Sequence, residues 1–184
     1  MIELREVLKA RADWAGWGWH DCDDGSVELE NWSPAGENII VTLDGKDIVR
    51  EMGRYSAGFD VDEHVEPLVE IRGTRGVPDS ITVLVQDALE IEKMLDDLDG
   101  YFQLVEQDFP NDQLREVSRE EAAAIIETRE PRGLFLSMEG DVVVGIDNQT
   151  GDAWTEEFED RIECLKWLLG WSREEENDGN NEDV

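Results

Sequence analysis

The chain is short of positive charge. Against 47 aspartates and glutamates stand only 16 lysines and arginines, a formal net charge of -31 with a pI near 4.1. Such a field repels nucleic acid and anionic membrane surfaces, so direct DNA or RNA binding is not expected. Cysteine is nearly missing as well: Cys22 and Cys164 lie far apart, a pattern of reduced thiols and not of a disulfide framework. No run approaches the roughly 18 apolar residues that a bilayer span requires, and MIELREVLKA reads as an amphipathic helix and not as a signal peptide. The expected compartment is therefore the cytoplasm. No P-loop, dinucleotide fingerprint, nucleophile elbow or regular metal-ligand spacing is present. His20, Cys22, His64 and Cys164 have no zinc-site spacing. The acidic loops Asp21–Gly25 and Asp147–Asp152 lack the glycine and glutamate positions of a calcium loop. The expectation is a non-enzyme without metal or cofactor.

The strongest structural signal runs from Ser80 to Glu106. Ile81, Leu84, Ala88, Ile91, Leu95, Leu98, Phe102 and Val105 alternate spacings of three and four, which keeps one helix face apolar throughout. A coiled-coil homodimer is a second reading. It would set Asp87 against Glu92 of a parallel partner with no flanking base, and Val85, Met94 and Tyr101 widen the stripe as globular packing does. At about 1.5 Å per residue the stretch is long for a globular helix, and Asp99-Gly100 is the expected break. The opposite face carries Asp87, Glu90, Glu92, Asp96, Asp97, Asp99 and Glu106 against Lys93.

Around it, Ile2–Ala12 reads as a helix, followed by a Trp-rich stretch with Trp14, Trp17, Trp19 and Trp32. Such tryptophans anchor small sheets or form contact patches. Val27–Trp32 and Asn38–Leu43 read as paired strands, and Lys46–Tyr55 as a helix. Asp60–Glu63 matches a capping box that opens a helix kinked at Pro67, and GTRGVPD leads into the long helix. Ser118–Glu121 is a second capping box. Leu134–Met138, Val142–Ile146 and Ala153–Phe158 fit antiparallel strands, followed by a helix over Asp160–Leu169. The sum is an α+β chain with one long central helix and small antiparallel sheets in its N- and C-terminal parts. Its expected divisions are residues 1–58, 59–112 and 113–171, with an acidic disordered tail at 172–184.

Between Ala12 and Leu43 there is no lysine or arginine, while Asp13, Asp21, Asp23, Asp24, Glu28, Glu30 and Glu37 are present. Acids so concentrated attract proteins with basic working surfaces, and those surfaces mostly hold nucleic acid. The expected partner-binding residues are Asp87, Glu90, Glu92, Asp96, Asp97 and Asp99 on the long helix, Asp21, Asp23, Asp24, Glu28 and Glu30 in the Trp segment, and Glu156, Glu157 and Glu159 near the C-terminus. Duplex DNA carries one charge per roughly 1.7 Å, against one net charge per roughly 6 to 7 Å along the helix. One helix cannot imitate a duplex, so any mimicry must be assembled from several surfaces or from two copies.

FDVDEHVEPLVEIRGTRGVPDSITVLVQDALEIEKMLDDL and RGLFLSMEGDVVVGIDNQTGDAWTEEFEDRIECLKWLLG resemble segments of small acidic proteins carried by conjugative elements and phages of gut bacteria. In its overall character the chain is similar to antirestriction and anti-CRISPR proteins, some of which inhibit Cas9. The resemblance implies a non-catalytic DNA mimic that blocks a host defence nuclease. It is one of texture, carries over no functional residue, and Pro67 departs from it. Two other readings compete: a regulatory or antitoxin-like module that binds a protein of its own element, and a halophilic housekeeping protein, since only Lys9, Lys46, Lys93 and Lys166 are lysines.

Overall fold

Alternation of apolar and polar residues builds the first sheet. In a computed structural model that describes residues 2–72, 78–109 and 113–171, with side chains from 67–72 and 78–80 left aside, β1 (Gly18–Asp21), β2 (Val27–Trp32) and β3 (Asn38–Leu43) form an antiparallel sheet in that order. Trp19, Val27, Leu29, Ile39, Val41 and Leu43 point to the buried face. β2 and β3 have the bounds that the sequence pattern predicts; β1 is an addition to it.

The fold is α+β, and contacts divide it into two compact units, Leu4–Pro110 and Asn111–Val184, the latter with Met1–Glu3. In the first unit α1 (Leu4–Trp14), α2 (Ile48–Gly58) and α3 (Val61–Arg72) surround α4 (Pro78–Asp108). Segments 1–58 and 59–112 of the sequence-based division are therefore not separate bodies, because α4 packs on all three helices. Leu84, Ala88, Ile91, Leu95, Leu98, Phe102 and Val105 are buried along one stripe, and Ile81, at 39% exposure, lies outside it.

The expected break at Gly100 does not occur: α4 runs unbroken for 31 residues. A mid-helix glycine costs about 1 kcal/mol, whereas each fully buried leucine or phenylalanine contributes about 1.5–3 kcal/mol. Leu98 and Phe102, both with no exposed surface, flank the glycine and hold the helix together across it. Helix α3 spans Val61–Arg72 with Pro67 inside it. Asp60 caps α3 by accepting from the backbone N–H groups of Asp62 and Glu63 at 2.9 and 3.0 Å.

The second unit is a mixed four-stranded sheet in the order β4 (Leu114–Val117), β5 (Leu134–Glu139), β6 (Val142–Asp147), β7 (Trp154–Phe158). The sequence pattern missed β4, which pairs parallel with β5 through the crossover helix α5 (Arg119–Thr128). Ser118 and Glu121 complete the expected capping box. Helix α5 packs Ala122 and Ile125 on Phe135 and Ile146. Helix α6 (Arg161–Leu168) covers the other face, where a Cβ on Gly145 would lie 3.0 Å from Cys164 Sγ and 3.1 Å from the Trp167 ring. The expected tail at 172–184 and the links at 73–77 and 110–112 lie outside the described residues.

Candidate functional site

Strand parity decides which acids meet. On β2, Val27, Leu29 and Asn31 turn one way, and Glu28, Glu30 and Trp32 turn the other. The register brings His20 opposite Glu28, Gly18 and Ile40 opposite Glu30, and Asn38 opposite Trp32. The outer face of the sheet thus combines Trp32 at 60% exposure and Ile40 at 53% with Glu28, Glu30, His20, Asn38 and Thr42. Glu30 is oriented there: its Oε1 accepts from Asn38 Nδ2 at 2.9 Å, and His20 Nε2 stands 3.6 Å from Oε2.

The buried side of the same sheet shows what a similar arrangement does when a cation is at hand. Trp19 and Asp21 stand two apart on β1. Arg5, from α1, donates to Asp21 Oδ1 from Nη2 at 2.6 Å and from Nε at 3.1 Å, and its guanidinium lies 5.9 Å from the Trp19 ring. Lys9 Nζ is 3.6 Å from Asp21 Oδ2. The Trp19 indole N–H donates to Asp21 Oδ1 at 3.0 Å, and this bond, followed by those from Arg5, holds the carboxyl below its usual range. Asp21 is thus already neutralised from within. Asp24 is engaged in its turn, accepting from Ser26 N at 2.9 Å and Ser26 Oγ at 2.6 Å, which lowers its carboxyl as well. Asp23 is exposed.

On α4 the expected acidic face is not one face. Asp87 is buried, with Oδ2 accepting from Ser33 Oγ at 2.7 Å and Oδ1 from Ala35 N at 2.9 Å. It ties the β2–β3 turn to the helix and is not part of the displayed surface. The same turn reaches α3, where His64 Nε2 lies 3.2 Å from Glu37 Oε1. Asp96 accepts from Ser56 Oγ of α2, and Asp99 is half-buried, accepting from Gln103 Nε2 at 2.7 Å. Glu92 is half-buried. Glu90 and Asp97 remain fully outward, sharing the exposed stripe with Lys93, Leu89, Gln86 and Leu104. Periodicity put the acids opposite the apolar stripe, but neighbouring helices and a turn cover part of that side.

In the second unit Glu156 and Glu157 lie on β7, an edge strand whose first four residues are all exposed, with Trp154 at 67%; Glu159 follows just beyond it. Successive side chains face opposite ways, so Trp154 and Glu156 share one side and Glu157 the other.

Most described cations are spoken for inside the molecule. Arg50 and Arg54 pair with Asp47 and Glu51 on α2 and its cap, Arg119 with Glu139, Arg132 with Glu130, Arg161 with Glu116, and Lys166 with Glu163. Arg11 is stacked on Trp14 and Tyr101, at 4.1 and 4.2 Å from the ring centres, and Arg115 lies 5.1 Å from the centre of the Phe135 ring. Among the described residues no lysine or arginine pairs with Glu28 or Glu30 on the β1–β3 sheet, where only His20 stands near Glu30, or with Glu156 or Glu157 on β7.

Among the described residues no group of three or more His, Cys, Asp or Glu is placed to hold a metal, and no helix is long and apolar enough to cross a membrane. Compared with protein-family models, with curated proteins and with solved structures, the chain matches none.

Proposed function

We propose that the chain is a non-catalytic acidic inhibitor that occupies the basic nucleic-acid-binding surface of another protein, with a defence nuclease of the restriction or Cas type as its target. The observation that carries this reading is the separation of charge: most of the described cations are engaged in intramolecular pairs and stacks, while the open face of the β1–β3 sheet keeps Glu28 and Glu30 beside exposed Trp32 and Ile40. Carboxylates steer a basic partner toward such a face and an aromatic supplies contact area once it arrives. The mimicry is that of a charged, apolar-centred face and not of a duplex, because α4 conceals Asp87 and half-buries Glu92 and Asp99.

Immobilised protein exposed to bacterial lysate at low ionic strength and then eluted with salt tests the proposal. Recovery of a nuclease or another nucleic-acid-binding protein in the salt eluate is the expected result. An eluate without any nucleic-acid-binding protein counts against it.

A further inference from the structure

The Arg5–Trp19–Asp21 contact is a filled site: an indole and a carboxylate two residues apart on one strand, with a guanidinium held between charge and ring. Glu30 and Trp32 repeat that pattern on the outer face of β2, in reverse order. Adjacent same-face positions on a strand are about 6.6–6.8 Å apart, a separation that one guanidinium in contact with the carboxylate can bridge to the edge of the ring. No lysine or arginine occurs from Ala12 to Leu43, so the sheet's own strands bring no guanidinium or ammonium to this pair, only the His20 imidazole, whose Nε2 stands 3.6 Å from Glu30 Oε2.

From this we infer that Trp32 and Glu30 form a receptor for arginine side chains presented by a basic segment of a partner protein. Trp32 supplies the stacking surface. Glu30, steadied through Oε1 by Asn38 at 2.9 Å, offers the guanidinium its Oε2, which His20 Nε2 approaches only to 3.6 Å, beyond hydrogen-bond distance. Ile40, paired with Glu30 across β2 and β3 and 53% exposed, gives the aliphatic stem a place to lie. Glu28, two residues further along the same face, extends the row for a second cation. Arginine is favoured over lysine because its planar fork both stacks and donates to a carboxylate, while an ammonium is a compact, strongly hydrated point charge. A second copy of this chain is a poor occupant, since each carries a net charge of -31.

The site deepens the inhibitor proposal and rests on it for the identity of the partner, but its chemistry is tested separately. Fluorescent nona-arginine and nona-lysine peptides are titrated with the full chain at low salt. Wild type should bind the arginine peptide more tightly. Trp32→Ala should weaken nona-arginine by about 3-fold, in line with an exposed cation–π contact, and remove the preference over lysine. Trp32→Phe should keep most of that preference, and Glu30→Gln should weaken binding more than Glu120→Gln, an equal charge change on exposed α5. Should Trp32→Ala fail to fold, Trp32→Phe and Glu30→Gln decide the matter. Unchanged binding in Trp32→Ala, or equal losses in the two glutamine variants, overturns the site in favour of diffuse attraction. If Trp32→Ala displaces DNA from a nuclease as well as wild type does, the site falls and the inhibitor reading survives. If wild type displaces no DNA yet the Trp32-dependent arginine preference holds, the site stands and that reading falls.

Discussion

The two sheets solve the problem of burial differently, and the difference governs what each leaves exposed. The β4–β7 sheet has α5 on one face and α6 on the other, and its central strands read as nearly continuous apolar runs, Leu134–Leu136 and Val142–Val144. Only its edge β7 is left to display Glu156, Glu157 and Trp154. The β1–β3 sheet is covered on one side, and β3 alternates strictly between exposed and buried. Its other side is a complete face. A face can present a row of carboxylates beside apolar anchors, whereas an edge presents a single line of residues pointing alternately up and down.

The largest effect is expected from removing what holds the first sheet in place. Phe102 is fully buried in α4, with its ring centre 6.4 Å from that of Trp19 on the covered face. Phe102→Ala should lower the stability of that unit by about 3–5 kcal/mol, read by urea unfolding. A loss below about 1 kcal/mol would mean that the sheet does not depend on α4.

Asp87→Ala comes next. It leaves Ser33 Oγ and the Ala35 N–H without their acceptor, and should cost about 1–3 kcal/mol while loosening the β2–β3 turn, visible as faster hydrogen exchange at Ala35. If Asp87 were instead a display residue, its removal would leave stability unchanged. In the doubly covered sheet, Gly145→Ala forces a methyl against Cys164 and Trp167 and should cost about 1–3 kcal/mol.

Smaller effects follow from titration. The Arg161 guanidinium, hydrogen-bonded to Glu116 at 3.1 and 3.3 Å, holds that carboxyl down to about 2. A folded-state value below the unfolded one means that this contribution is present above the ordinary glutamate range near 4.5 and is lost as pH falls toward 2. Glu116→Gln should flatten that part of the stability–pH curve, and an unchanged acid limb would refute the pairing. Burial pushes the Cys164 thiol up to about 12, so at mildly alkaline pH an alkylating reagent should label Cys22 in the native protein and reach Cys164 only on unfolding.

Much of this fold is legible in the sequence because its signals are local. The alternation in Asn38–Leu43 gives a strand, Ser118 with Glu121 gives a helix start, and the three-four spacing from Leu84 to Val105 gives the stripe that α4 buries. What escapes is what tertiary contact decides. The four-residue strands β1 and β4 are too short to show a period, and LREV runs into a helical-looking acidic stretch. Gly100 is a stop signal that burial on both sides overrides.

The candidate face divides in the same way. That Glu28, Glu30 and Trp32 share one side follows from counting by two along β2. That Asp87 is buried under a turn, or that Asp21 is already taken by Arg5, depends on residues 54 and 16 positions away and leaves no mark in the local pattern.

As an inhibitor of the proposed kind, the chain would set its open acidic face in competition with nucleic acid for a basic groove. The most direct measurement titrates the protein into a complex of fluorescent duplex DNA with a restriction or Cas-type nuclease and follows DNA release by anisotropy at rising salt. Release that is complete at low salt and fades steeply as salt increases is the predicted result, since charge pairing at exposed surfaces is screened. DNA that stays bound at saturating protein in low salt would contradict it.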